Sequence, residues 1–218
     1  MSRLVLVILG KQGAGKGTQC ARLSERYEIP HVSTGDILRA AVKAGSALGR
    51  EVKAVLEAGG LVSDDLVNRL VAERFSEPDA QRGALLDGFP RTPGQARALD
   101  ELLGDHGVSL CINLDVPSEL AVARLSSRRV CVECGTIYRD VDPEAISGTC
   151  AKCGGDVIQR SDDAPEAIAA RLALYERDTA PLLDFYGERG LLVTVDGARD
   201  AALVTSEIEG VIAERGLA

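Results

Sequence analysis

LVLVILGKQGAGKGTQCARLSERY, residues 4–27, is the stretch on which the fold turns. Leu4–Leu9 is an unbroken apolar run, the length of a strand buried on both faces and far short of the ~20 residues that span a bilayer. It leads directly into Gly10, Gly13, Ala14, Gly15, Lys16, Gly17 and Thr18, and from Lys16 to Tyr27 the apolar positions recur at helical spacing. Glycines let successive backbone N–H groups converge on a polyphosphate without Cβ clashes, and a helix N-terminus adds positive potential. Lys16 is placed to reach the β- and γ-phosphates as a mobile point charge. Gly17 follows Lys16 where a GTPase-type loop has Ser or Thr, and the hydroxyl comes one place later, at Thr18. No guanine-reading Asn-Lys-x-Asp accompanies it, so the loop does not read as a guanine-nucleotide switch.

Outward from this stretch, short apolar runs alternate with longer amphipathic ones, the pattern of a parallel α/β sheet. Strands are predicted at Leu4–Leu9, Pro30–Ser33, Ala84–Asp87, Leu110–Asp115 and Leu191–Asp196. Helical periodicity fits Lys16–Tyr27, Gly35–Ala44, Leu48–Ala58, Asp64–Phe75, Pro93–Gly104, Ser118–Ser127, Pro165–Tyr186 and Ala201–Glu214. Pro181 cannot sit inside a continuous helix, so the long stretch is predicted to kink or break before it. With 218 residues the chain suits one domain carrying an insert. Aromatics make up only 3% and Trp is absent, so the core must be aliphatic. A net charge of −8 argues against a general nucleic-acid binder. No run is long enough for a membrane span, and no export signal is read at Met1-Ser2-Arg3, so a cytoplasmic location is expected.

Residues 129–160 break the alternation. They contain Cys131-x-x-Cys134-Gly and Cys150-x-x-Cys153-Gly, two matching knuckles separated by fifteen residues. This spacing places four thiolates around a tetrahedral ion, and each glycine permits the tight turn after its second cysteine. Four protein ligands close the coordination shell, so the metal reads as a structural Zn²⁺, with iron or a redox dithiol as alternatives. The flanking charges cancel: Arg128, Arg129, Arg139, Lys152 and Arg160 face Glu133, Asp140, Asp142, Glu144 and Asp156. Such a balance is a poor footprint for nucleic acid. Cys20 and Cys111 read as core residues, and His31 and His106 as structural or solvated.

The loop's form, G-x-x-G-x-G-K-G-T, resembles that of nucleoside monophosphate kinases. His31-Val-Ser-Thr34-Gly-Asp-Ile-Leu-Arg39 and Leu85-Leu-Asp87-Gly88-Phe89-Pro90-Arg91-Thr92 with Gln95 are similar to adenylate kinase signatures. Arg124, Arg128, Arg160 and Arg171 fall where that family places its phosphate-clamping arginines, and Asp162-Asp163 follows Arg160 as in the family. Gln12 departs from the family's usual Pro at a position that contributes mainly backbone. The resemblance runs from Leu4 to about Arg199.

It implies an α/β fold with a P-loop NTPase core of five parallel strands, an AMP-binding helical insert and a zinc-ribbon-like lid. Boundaries are expected at 1–32, 63–126 and 165–218 for the core, 33–62 for the insert and 127–164 for the lid. The implied reaction is reversible transfer from MgATP to AMP, giving two ADP. Lys16, Asp87, Arg91, Arg128, Arg160 and Arg171 would carry it, Asp87 by holding water on Mg²⁺. ATP is implied to lie on Gly13–Thr18, Arg124, Arg128, Ile137, Tyr138 and the backbone at Arg199. AMP would take Thr34, Arg39, Gly60, Leu61, Val62, Gly88, Phe89, Pro90, Arg91, Gln95, Arg160 and Arg171, with Thr34 and Gln95 reading adenine. The family expectation is a monomer without nucleic-acid or membrane partners. Two rivals stay open: a GTP donor, and a zinc-ribbon binding protein with a regulatory phosphate loop.

Overall fold

The computed structural model describes residues 3–217. The six residues of β1 (Leu4–Leu9) are all buried, and alternate side chains feed two separate cores. Leu4, Leu6 and Ile8 join one; Val5, Val7 and Leu9 join the other. A strand whose side chains alternate between two apolar layers must be central in a sheet covered on both faces. The sheet is indeed parallel throughout, ordered β2-β3-β1-β4-β8, with β2 at His31–Ser33, β3 at Gly83–Asp87, β4 at Leu110–Asp115 and β8 at Leu192–Asp196.

The first core is closed by α1 (Lys16–Tyr27), through Cys20 and Leu23, and by α10 (Ala201–Glu214), through Val204, Ile208 and Ile212. The second is closed by α4 (Asp64–Phe75), α5 (Pro93–Leu103) and α9 (Pro181–Gly187). Gly83 at the start of β3 has φ of +135°, and a Cβ there would stand 1.9 Å from the Leu4 carbonyl oxygen. Only glycine lets the two strands pair at that point.

Two excursions leave this frame. The first holds α2 (Thr34–Lys43) and α3 (Ala47–Glu57), each capped at its N-terminus by a serine, Ser33 and Ser46, whose hydroxyl accepts a backbone N–H. The second follows α6 (Ser118–Ser126) and is a three-stranded antiparallel sheet, ordered β6-β5-β7. Its strands are β5 (Arg128–Cys131), β6 (Ile137–Arg139) and β7 (Val157–Ile158). A five-residue α7 (Pro143–Ser147) also lies there, an element the periodicity did not reveal. Its own buried cluster is only Cys131, Cys150 and Val157, with Tyr138 and Ala145 packed alongside.

The long helical stretch breaks as Pro181 requires. After α8 (Pro165–Leu174) the chain makes a π-turn over Tyr175–Thr179, in which the Ala180 N–H donates to the Tyr175 carbonyl at 2.8 Å, before α9 begins. Element boundaries otherwise agree with the predicted ones to within a residue or two. Pro30 has no N–H, so β2 starts one residue later than expected, although the Pro30 carbonyl still accepts from Leu85.

Candidate active site

In the order β2-β3-β1-β4, the connection from β1 runs to β2 on one side and that from β3 runs to β4 on the other, so the direction of winding reverses between β1 and β3. The crevice beyond the carboxyl ends of strands at such a point is where open α/β sheets hold ligands. A cleft of about 490 Å³ lies there, lined by the glycine loop, the ends of β2 and β3, the start of α2 and the antiparallel module.

No side chain caps α1, whose N-terminus opens into this cleft from the loop. The Thr18 and Gln19 N–H groups donate to the Gly15 carbonyl at 3.1 and 3.2 Å, which leaves those of Lys16 and Gly17 at the tip of the helix for an anion. Gly13 is required here: at φ of +86°, a Cβ would meet the Ala121 carbonyl oxygen at 2.6 Å. Gly15, Gly17 and Thr18 line the cleft, while Ala14 is buried beneath the loop. Lys16 Nζ donates to the Gly10 and Lys11 carbonyls at 2.6 and 2.9 Å. Burial lowers its pKa to about 8, with Arg91 and Arg171 adding repulsion and Asp87 opposing it. An ammonium held this way gains most from an incoming phosphate.

Asp87, the last residue of β3, faces the same space. Burial resists its charge, but a hydrogen bond from His31 at 3.3 Å and the nearby Lys16 outweigh burial and hold the carboxyl below its ordinary range. His31, read from the sequence as structural or solvated, stands at the edge of the cleft paired with Asp87. The pairing arises because β2 and β3 run side by side, a contact no local motif signals.

Five arginines converge on the cleft from separate elements: Arg39 on α2, Arg91 after β3, Arg128 on β5, Arg160 after β7 and Arg171 on α8. Burial, reinforced by the neighbouring cations, lowers Arg91 and Arg160 to about 10. Among the described residues Arg91 and Arg160 have no ion-pair partner, Arg91 donating instead to the Gly88 carbonyl at 2.8 Å, whereas Arg39, Arg128 and Arg171 are held by two adjacent carboxylates. Asp163, wholly buried, binds Arg128 in a fork at 2.6 and 2.8 Å and Arg171 at 3.2 Å. Asp162 lies 3.3 Å from Arg171 and 4.0 Å from Arg39. The two aspartates thus do more than start a helix: they orient a cationic clamp.

A second cavity, of about 50 Å³, opens beside the first and shares Gly35, Arg39, Gly88, Arg91 and Arg171 with it. Thr34, Gly60, Leu61, Val62 and Gln95 complete its wall. Thr34 donates its hydroxyl to the Gly88 carbonyl at 2.8 Å. Gln95 accepts from the Arg91 N–H at 2.7 Å and donates to Asp64 at 2.7 Å, which leaves one hydrogen and one lone pair of its amide for a ligand. Asp64, absent from the sequence-level site, fixes that orientation and also accepts from Thr92. Phe89 is buried in the second core and lines neither cavity; Pro90 lines the larger one.

At the opposite end of the large cleft, the Arg124 guanidinium donates to the Gly197 carbonyl at 2.9 Å and lies beside Ile137 and Tyr138 on its wall. Arg199 turns its side chain to Glu207 and does not line the cleft. Tyr175 and Thr179 do line it, an outcome of the π-turn that periodicity could not anticipate.

The four module cysteines gather as their spacing predicts, with all sulfurs within 4.8 Å of one another. Cys131 and Cys153 are 3.4 Å apart and Cys134 and Cys150 3.6 Å, close to the ~3.8 Å edge of a thiolate tetrahedron around zinc. The Tyr138 hydroxyl lies 3.2 Å from Cys150 Sγ and lowers that thiol to about 6. Ligand number, type and spacing all fit Zn²⁺. Among the described residues no helix is long and apolar enough to cross a membrane.

Comparison with known proteins points the same way. A family profile described as adenylate kinase matches residues 8–191. An adenylate kinase of Symbiobacterium thermophilum is 49% identical over 207 residues, covering 94% of this chain and 96% of its own. One from Oceanobacillus iheyensis is 46% identical over 213 residues (96% and 99%), and one from Archaeoglobus fulgidus 45% over 210 (95% and 97%).

Proposed function

This chain belongs to the adenylate kinase family of phosphotransferases, and from that premise we propose that it converts MgATP and AMP reversibly to two ADP by in-line transfer. The observation that carries this reading is the junction of two cavities, one on a phosphate loop and one beside it, at a shared wall containing Arg39, Arg91 and Arg171. A donor polyphosphate and an acceptor monophosphate entering from the two cavities would meet there.

The donor polyphosphate lies on the N–H groups from Gly13 to Thr18, with Lys16 leaving its carbonyl partners for the β- and γ-oxygens. Asp87, with Thr18 nearby on the loop, fits a hydrated Mg²⁺ that neutralises the triphosphate; the ionised, cleft-facing carboxylate supports that role. Arg39 and Arg91 take the acceptor phosphate, since a planar guanidinium matches its oxygens in pairs. Arg128, Arg160 and Arg171 surround the group in flight. No general base is called for, because the acceptor phosphate oxygen is already anionic; the barrier falls through positioning and charge stabilisation.

Thr34 and the free amide groups of Gln95 read the acceptor adenine, between Gly60, Leu61 and Val62. A base presenting the wrong edge would leave buried polar groups unpaired. Arg124, with Ile137 and Tyr138, borders the donor adenine, and the backbone near Arg199 closes its edge. The segments 33–62 and 127–164 act as the acceptor insert and a closing lid on a core of 1–32, 63–126 and 165–218. Lid closure excludes water, so the γ-phosphoryl group passes to AMP rather than to solvent. Zinc on the four cysteines holds the lid's shape.

Every group needed lies in one chain, which fits a monomer, and the acidic surface fits a cytoplasmic role in adenine-nucleotide balance without nucleic-acid or membrane partners. Replacing Lys16 by Met tests the reading: ADP formation from MgATP plus AMP falls by three orders of magnitude or so, with an unchanged melting curve. Near-normal turnover in a folded Lys16→Met protein would remove the assigned role.

A further inference from the structure

Behind the phosphate loop, three side chains of different kinds meet: Cys20 on α1, His31 on β2 and Asp87 at the end of β3. Cys20 Sγ, a ring nitrogen of His31 and a carboxylate oxygen of Asp87 all lie within 4.8 Å of one another. We propose that these three groups form an inhibitory site for a thiophilic d¹⁰ cation, zinc or cadmium, separate from the four-cysteine centre.

The geometry supports it in three ways. First, His31 Nε2 and Asp87 Oδ2 are 3.3 Å apart. That is long for a hydrogen bond to a carboxylate, which prefers 2.7–2.9 Å as a rough guide. It is close to the ~3.4 Å that separates two ligands held ~2.0–2.1 Å from a tetrahedral ion. Second, the site has an inner and an outer side. Cys20 is wholly buried and supplies the inner ligand, while His31 and Asp87 line the cleft. A fourth position therefore opens toward the nucleotide space, as in zinc sites with three protein ligands. Third, the donor set is selective. Mg²⁺ prefers oxygen ligands and keeps its waters, so it can meet Asp87 through that water but has no reason to settle on a thiol and an imidazole. Sulfur and imidazole bind zinc and cadmium strongly enough to do so.

Binding forms Cys20 S–metal, His31 N–metal and Asp87 O–metal bonds; the Cys20 thiol proton passes to water, and the His31 proton moves to the other ring nitrogen. Asp87 is then withdrawn from the hydrated Mg²⁺, and a dication sits behind Lys16. Transfer should stop while the fold persists. This consequence rests on the proposed role of Asp87, whereas metal binding itself does not.

The test uses wild-type enzyme whose lid already carries one zinc equivalent, titrated with Zn²⁺ or Cd²⁺ alone. Equilibrium dialysis should find a second equivalent, and transfer at saturating Mg²⁺ should fall as it binds. Cys20→Ala, with Cys20→Ser as a closer packing match, should keep basal turnover and weaken both binding and inhibition at least ~10-fold; outer-shell losses alone cost ~10–100-fold at metal sites. A single equivalent in the wild type, or an undiminished second equivalent in both variants, would overturn the site. Binding of a second, Cys20-dependent equivalent without inhibition would uphold the site and overturn instead the role given to Asp87.

Discussion

Lys16 and Asp163 illustrate how single side chains here are held in wait for an anion. The free-enzyme pKa of Lys16 is about 8, depressed from the ordinary lysine value by burial. Bound triphosphate favours the ammonium and raises that pKa again. Between the two values the complex holds a proton that the free enzyme lacks, so binding takes up protons and the affinity for MgATP weakens as pH rises through that window. Calorimetric titrations at about pH 8.5, in buffers of differing ionisation enthalpy, should show this uptake, and Lys16→Met should abolish it. Asp163 keeps Arg128 and Arg171 apart from one another's charge and aimed at the cleft. Asp163→Asn removes the buried anion and leaves two guanidiniums facing an amide. The expected cost is ~3–5 kcal/mol in denaturant melts, with a matching loss of transfer.

At the scale of elements, legibility followed the range of the interaction. The phosphate loop, α1 and the two knuckles were readable because each is a local pattern: glycines where N–H groups must converge, cysteines at ligand spacing. The five core strands were readable because burial on both faces leaves continuous apolar runs such as Leu4–Leu9. By contrast, α7 is only five residues long, too short for any period to emerge. The His31–Asp87 contact and the bracing of Gln95 by Asp64 cross between elements and carry no local signature. Arg199 was expected to contribute only its backbone, and its side chain pairs with Glu207 instead of lining the cleft. The lid follows from the same reasoning about size. A core of Cys131, Cys150 and Val157 buries little for three short strands, which is why the proposed zinc on the four cysteines is assigned the rest. Chelating the metal, or making Cys150→Ser, should unfold the lid at a lower temperature than the core and split the calorimetric melt. An unchanged single transition in metal-free protein would remove zinc's structural role.

Over the whole molecule, the parallel sheet is buried between two aliphatic cores, and two excursions place charged side chains on the cleft at its end. The core presents Asp87 at the carboxyl end of β3 and Lys16 at the start of α1, beyond the carboxyl end of the adjacent β1. Arg39 arrives on the first excursion, Arg128 and Arg160 on the second. A Lys43–Glu133 contact of 2.9 Å joins the two across the cleft mouth. Cations gathered this closely repel one another, although the chain as a whole carries a net charge of −8. Such a concentration has its use when a triphosphate and a monophosphate enter together, which makes the identity of the second nucleotide the central question. Phosphorus NMR of the purified enzyme with Mg²⁺, ATP and each of AMP, GMP, CMP and UMP answers it directly. ADP resonances should grow only with AMP, as the Thr34–Gln95 pocket requires; transfer to another monophosphate would contradict the base assignment, and no transfer to any of them would contradict the reaction itself.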